Sequence, residues 1–236
     1  MHKTMIPDWV KQRVIERRGR AHVYDDMVPA RTALVVVDLQ NGFMMEGVAH
    51  SLIKGAVEIV PNVNKLAGAL RAAGGTIVWI RNTATEESFK SWSIAYEKLS
   101  NPARAMKRVE SLKPGSIGHQ VWAGMDVQPE DLIIDKTRFS AFIQGSSNIE
   151  AQLRARGIDT VLITGTSTSV CCESTARDAC MRNFQTVMVS DGLCAATDEE
   201  HNATLLNFYL TFGDVMTTDD AVGYIAANAK KAAAQA

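Results

Sequence analysis

No run of about 18 apolar residues occurs anywhere in the chain, so nothing in it reads as a membrane-spanning helix. The first twenty residues, MHKTMIPDWVKQRVIERRGR, are charged and contain no apolar signal core, which excludes a secretory leader there and points to a cytoplasmic protein. Net charge is only −1 and no basic stripe is present, so the sequence offers no footprint for nucleic acid. The four cysteines, Cys171, Cys172, Cys180 and Cys194, include no C-x-x-C pair, which argues against a zinc knuckle and against a thioredoxin-type redox centre. The histidines, at positions 2, 22, 50, 119 and 201, do not cluster. No internal repeat and no low-complexity linker interrupts the chain.

What is present is enough apolar residue, 46% of 236, to build a substantial core in one large domain. Short β-branched runs recur: ALVVVDL (33–39), GTIVWIRN (75–82), DLIIDK (131–136), TVLITG (160–165), QTVMVSD (185–191) and a weaker DVMTT (214–218). Continuous runs of this length suit strands buried on both faces. Helical patterns lie between them. Val63, Leu66, Ala67 and Leu70 follow helical spacing up to the Gly74-Gly75 stop, with Pro61 in the first turn. A serine-led segment carrying Ile149 and Leu153 stops at Gly157, and further helices are expected over 170–183 and 198–213. Strands alternating with helices predict an α/β fold: a doubly wound, Rossmann-like, six-stranded parallel sheet with helices on both faces.

Three regions break the rhythm. Residues 1–30 precede the first strand as a partly helical N-terminal arm, suited to packing on another subunit. Residues 31–236 form the single domain. Within it, 83–130 is a long connection with a short helix in EESFKSWSIAYEKLS, of the length seen in lids and binding loops. The tail AANAKKAAAQA reads as a fraying helix end.

In doubly wound sheets, ligands bind beyond the carboxyl ends of the strands. Those ends deliver Asp38, Asn82, Lys136 and then the loop 165–170 that leads into Cys171 and Cys172. A free thiol titrates near about 8.5, and a helix N-terminus and a neighbouring lysine both favour its thiolate. A carboxylate beside it can take the thiol proton and later hand it to a leaving amine. Backbone N–H groups in the loop could hold an oxyanion. A dinucleotide-binding protein is disfavoured, because the first strand runs into DLQNGF and not into G-x-G-x-x-G.

Three segments, ALVVVDLQNGF (33–43), DKTRFSAF (135–142) and TGTSTSVCCESTARDA (164–179), carry a resemblance to the isochorismatase-like cysteine hydrolases over roughly residues 31–225. The resemblance implies a catalytic triad of Asp38 as general acid/base, Lys136 as its charge partner and Cys171 as nucleophile. It also implies a cis peptide between Thr166 and Ser167, and an oxyanion hole built from the N–H groups of Ser167 and Cys171. Helix geometry agrees with the choice between the two thiols. Cys172, Ala176, Ala179 and Cys180 form a small-residue stripe for packing on the sheet, and Cys171 lies about 100° around the helix from it. A thiolate at Cys171 is expected to alkylate quickly near neutral pH.

Within the resemblance, the nicotinamidase branch places a metal beside an Asp and several His after the second strand. Here that stretch reads RNTATEESFKSW, without histidine, so neither metal nor cofactor is expected. True isochorismatases protonate a vinyl ether without a cysteine at this position. The branch resembled most is that of ureidoacrylate and carbamoyl amidohydrolases, in which the Asn of W-x-x-N contacts the ureide; Asn82 is the matching residue. Phe139 stands where those enzymes carry Tyr, which leaves the substrate open. The expected activity is cysteine-dependent hydrolysis of a C–N bond in a small linear amide, ureide or carbamoyl compound through a thioester on Cys171. Asn82, Phe43 and Phe139 are candidate substrate contacts, with a turn residue and ordinary core as their alternatives. A vinyl-ether hydrolase and a catalytically silent binding protein on the same fold remain as other readings. The family is usually oligomeric, so a homo-oligomer, dimer or tetramer, is expected, with a small molecule as the only other partner.

Overall fold

The computed structural model describes residues 1–235; the last residue of the alanine-rich tail, Ala236, lies outside them. Six strands form one sheet: β1 (Thr32–Val37), β2 (Thr76–Asn82), β3 (Leu132–Lys136), β4 (Thr160–Thr166), β5 (Gln185–Cys194) and β6 (Asp214–Met216). Every pairing is parallel and the spatial order is β3-β2-β1-β4-β5-β6. The helices are α1 (Asp8–Arg18), α2 (Asn41–Met44), α3 (Val60–Ala72), α4 (Glu86–Ser91), α5 (Ser93–Glu97), α6 (Pro102–Leu112), α7 (Ile149–Ala155), α8 (Glu173–Met181), α9 (Asp198–Thr211) and α10 (Thr218–Gln235). None is long and apolar enough to cross a membrane among the described residues.

The alternation along β1 shows why the sheet needs cover on both faces. Ala33, Val35 and Val37 enter one core with Ile163, Leu205 and Phe208. Leu34 and Val36 enter the other, with Leu66, Leu70 and Trp79. All six residues of β1 are buried, which is the reason its sequence reads as an unbroken apolar run rather than an alternating one.

Strand order reverses between β1 and β4, and the register brings the strand ends level there. Val37 pairs with Ile80 on one side and with Gly165 on the other, while Asn82 pairs with Lys136. Asp38, Asn82, Lys136 and Thr166 therefore arrive at one edge of the sheet. The approach of β4 to β1 requires glycine at 165: its φ is +114°, and a Cβ there would lie 2.0 Å from the Val37 carbonyl oxygen.

Residues 1–30 lie along the same chain. Val10 and Val14, one helical turn apart on α1, are buried in the core that also holds Leu205 and Phe208 of α9. Arg18 donates to the carbonyls of Tyr209 at 2.6 Å and Gly213 at 2.9 Å. The 83–130 connection holds three helices where the sequence indicated one: EESFKSWSIAYEKLS is split into α4 and α5, and α6 follows. Asn101 caps α6, its side chain accepting from the Arg104 N–H at 2.9 Å, with Pro102 at the first helical position.

Candidate active site

Asp38 sits one residue beyond β1 with φ at +55°, its N–H donating to the Ile80 carbonyl at 3.1 Å. The turn aims its carboxylate across the sheet edge toward β3. Lys136 Nζ donates to Asp38 Oδ2 at 2.8 Å and to the Arg138 carbonyl at 3.0 Å. Both side chains are fully buried. Burial alone would lower the lysine, but Asp38 and then Cys171 overcome it and hold its pKa above the ordinary value. The second carboxylate oxygen, Asp38 Oδ1, is buried without a hydrogen-bond partner.

Thr166 and Ser167 are joined by a cis peptide bond. The chain then winds through one π-helical turn, Thr168–Cys172, before α8 begins. The helix expected over 170–183 thus starts earlier and in a wider winding, a local form that recurs at functional sites. Within this turn Cys172 is fully buried and its Sγ lies 3.8 Å from the Thr164 carbonyl. Cys171 faces the cavity at 4% exposure. The structure thus places one of the adjacent thiols at the cavity and the other in the core.

The expectation of a ready thiolate at Cys171 is corrected by its surroundings. Burial, and next the Asp38 charge, push the thiol up to about 12, and Lys136 only partly offsets them. The lysine's charge is also matched by the carboxylate at 2.8 Å, so its pull on the sulfur only partly offsets burial and the Asp38 charge. Burial and the Asp38 charge thus favour the neutral form of the thiol.

Phe43, Asn82, Phe139, Ser167 and Cys171 all line one cavity of about 250 Å³. This is below the roughly 300–1,000 Å³ of drug-sized sites and fits a small molecule. Asn82 is 3% exposed and its Nδ2 reaches Asp38 Oδ2 at 3.5 Å, which is long for a hydrogen bond. Phe139 packs edge-on against Trp92 at 4.7 Å. A larger cavity of about 970 Å³ opens among α4, α5 and α6, against Phe89, Tyr96 and Met106. It does not contain Cys171, whereas the smaller cavity does, with the sealed Asp38–Lys136 pair lying behind that wall. Among the described residues no group of three or more His, Cys, Asp or Glu is placed to hold a metal ion.

Sequence reasoning assigned no role to several residues here. Gln40, fully buried, clamps the ends of β1 and β2: its Oε1 accepts from the Asn82 N–H at 2.6 Å, and its Nε2 donates to the carbonyls of Asn82 at 3.2 Å and His119 at 3.0 Å. The glutamine of DLQNGF was the available signal. His50 lines the cavity with its ring edge-on to Phe43 at 4.8 Å. Its Nδ1 pairs with the Gly42 carbonyl at 3.1 Å, and burial, with Arg108 next, lowers its pKa to about 3. Arg104 and Arg108 of α6 complete the outer wall. Their spacing of four on an amphipathic helix is legible, but nothing in the sequence says that this face meets the strand ends.

The chain belongs to the isochorismatase family of hydrolases: the family model described as Isochorismatase domain matches residues 32–220. It is 32% identical over 210 residues to the ureidoacrylate amidohydrolase RutB of Agrobacterium fabrum, covering 84% of this chain and 91% of that one. Among solved structures it is similar to a cysteine hydrolase from Pseudomonas syringae pv. phaseolicola, with TM-score 0.72, 26% identity, and 85% of this chain and 94% of that chain covered. It is also similar to the N-carbamoylsarcosine amidase of Thermoplasma acidophilum, with TM-score 0.63, 25% identity, and coverage of 80% and 97%.

Proposed function

We propose that the protein is a cysteine-dependent amidohydrolase that cleaves a C–N bond in a small linear amide, ureide or carbamoyl compound. The observation that carries this reading is that Cys171, at the wall of a small cavity, lies against the buried Asp38–Lys136 pair behind that wall, with Asp38 Oδ1 left without a partner. The similarity to an enzyme named for ureidoacrylate and to one named for N-carbamoylsarcosine supports the choice of a C–N bond.

The chemistry begins from a neutral thiol. As Cys171 Sγ attacks the carbonyl carbon, its proton passes to Asp38, which avoids a free thiolate in a site that disfavours it. The oxyanion is received by the N–H groups of Ser167 and Cys171, both at the cavity wall. Asp38 returns the proton to the departing nitrogen, the C–N bond breaks, and a thioester remains on Cys171. Asp38 then takes a proton from water as the water oxygen attacks the thioester, and gives that proton back to the sulfur as the acid leaves. Lys136 stays bonded to Oδ2 throughout and balances the carboxylate charge, leaving Oδ1 as the oxygen that exchanges protons. Asn82, Phe43 and Phe139 shape the substrate's seat.

The test is ammonia release from a panel of ureido acids, carbamoyl amino acids, biuret and nicotinamide, with wild type, Cys171→Ala and Cys172→Ala in parallel. Release is expected from wild type and Cys172→Ala and should vanish in Cys171→Ala with the fold intact. Loss in Cys172→Ala alone would overturn the assignment of the nucleophile.

A further inference from the structure

Arg108 is a buried cation without a counterion on the α6 wall of the site. It is 8% exposed and lines the same cavity as Cys171, on the wall contributed by α6. The rings of Trp92, Tyr96 and Phe139 lie 5.2, 4.7 and 5.8 Å from its guanidinium carbon. Ring faces attract the charge, but they leave the in-plane N–H donors of the fork unused. Among the described residues no carboxylate lies within ion-pair distance of this guanidinium and no acceptor takes its N–H groups. Its nitrogens are also not among the sealed polar atoms of the core, so they reach the cavity surface.

The neighbouring cations behave differently. Arg138 gives its N–H groups to the Thr137 carbonyl at 3.1 Å and to Ser91 Oγ at 2.9 Å. Lys136 is matched by Asp38. Arg108 alone leaves the cavity with a surplus of positive charge at depth, and Arg104, one turn earlier on α6, adds a second cation at the exposed side of the same wall. His50 registers that field: after burial, Arg108 is the largest cause keeping it neutral, and Arg104 and Lys107 act in the same direction.

A desolvated, unpaired guanidinium is costly, and an arriving carboxylate relieves that cost with two parallel hydrogen bonds in the geometry of the fork. We infer that Arg108 is the anchor for a carboxylate on the substrate, so the amide or ureide is an acid whose anionic end lies against α6 while its scissile carbonyl meets Cys171. This rests on the hydrolase reading for the position of the carbonyl, though not for the anion site itself. Arg108 is a binding residue here and takes no part in bond-making.

The test separates the two. Binding of 3-ureidopropionate and of its uncharged carboxamide is measured by calorimetry on the Cys171→Ala protein, and again with Arg108→Met or Arg108→Lys added. The acid should bind roughly 10–100-fold more weakly once Arg108→Met is present, with the carboxamide unaffected, since a hydrogen-bonded charge carries about that discrimination. Arg108→Lys, which keeps the charge and loses the fork, should fall between. A folded Arg108→Met protein that loses both ligands equally would mark Arg108 as packing beneath Trp92 and overturn the proposal. So would equal affinity for acid and carboxamide in the parent, or no binding of the acid at all. Selective binding of the acid with no turnover of it by wild type would uphold the anchor and remove the support for ureide hydrolysis.

Discussion

Replacing Asp38 by Asn should make Cys171 react faster with an alkylating agent while making the enzyme slower. The thiol stands at about 12, with burial as the first cause and the Asp38 charge as the second. At pH 8 that leaves a thiolate fraction of about one in 10,000. Asparagine keeps the shape and removes the charge. A neighbouring charge moves a pKa by about 1–3 units, so a fall of about 2 units is expected, raising thiolate about 100-fold. A less basic sulfur is also a weaker nucleophile, which takes back about tenfold for a Brønsted slope of about 0.4–0.5. The net expectation is alkylation about tenfold faster. Asp38 outweighs Lys136 in its effect on the thiol, so the direction holds even if the lysine, deprived of its partner, gives up its proton. Turnover should fall by about 100- to 10,000-fold, because the group that shuttles the proton is gone. The assay is iodoacetamide labelling between pH 6 and 10, with the modified cysteine located by peptide mass spectrometry so that the half-buried Cys180 is counted separately. Circular dichroism verifies the fold, since breaking a buried pair costs about 3–5 kcal/mol. Alkylation that is unchanged or slower would refute the electrostatic account of the thiol. Undiminished turnover would refute Asp38 as the base.

The same groups set stability against pH. Cys171 is raised to about 12 and Cys194 to about 11 from an ordinary 9.0, so the folded protein holds protons that the unfolded chain releases. Their contribution is complete below pH 9 and is lost as pH rises toward 11–12, at up to roughly 1.4 kcal/mol per pH unit for each thiol; thermal melts from pH 8 to 10.5 should fall less steeply in Cys171→Ala than in wild type. At the acid side, His50 and His201 are lowered to about 3 and about 4 from 6.5. The unfolded chain binds these protons first, so stability is present above pH 6.5 and is lost as pH falls from there toward 4, and His50→Gln should flatten that limb of the melting curve.

The sheet was legible because a parallel strand covered on both faces leaves an unbroken apolar run: ALVVV has no other economical reading. Asp38, Asn82 and Lys136 were legible for a related reason, since polar residues that close such runs must lie at the edge where ligands bind. The burial of Cys172 was legible because Ala176 and Ala179 share its packed stripe. The acidity of Cys171 was not legible. Local sequence shows a helix start and a lysine, both favouring thiolate, whereas the burial that decides the matter depends on how 83–130 closes over the site. Arg108 was hidden for the same reason: its chemistry comes from what α6 faces, and that is a long-range fact. The first two helices of that connection are too short, at six and five residues, to show a helical period, although Thr85 and Asn101 cap the starts of α4 and α6.

The cavity has two walls of different origin. One is formed by strand ends, their turns and the loop after β1; it carries the thiol, and the Asp38–Lys136 pair lies sealed behind it. The other is α5, α6 and the turn between them, part of the connection from β2 to β3 and outside the sheet. A substitution at position 104 or 108 can therefore change what the cavity admits without disturbing the Asp38–Lys136 pair, and a change in the length of this connection can do so without unpairing a strand. Under the proposed reading, the two arginines bear on selectivity from a stretch of chain separate from the one that carries Cys171, so the two can be altered independently.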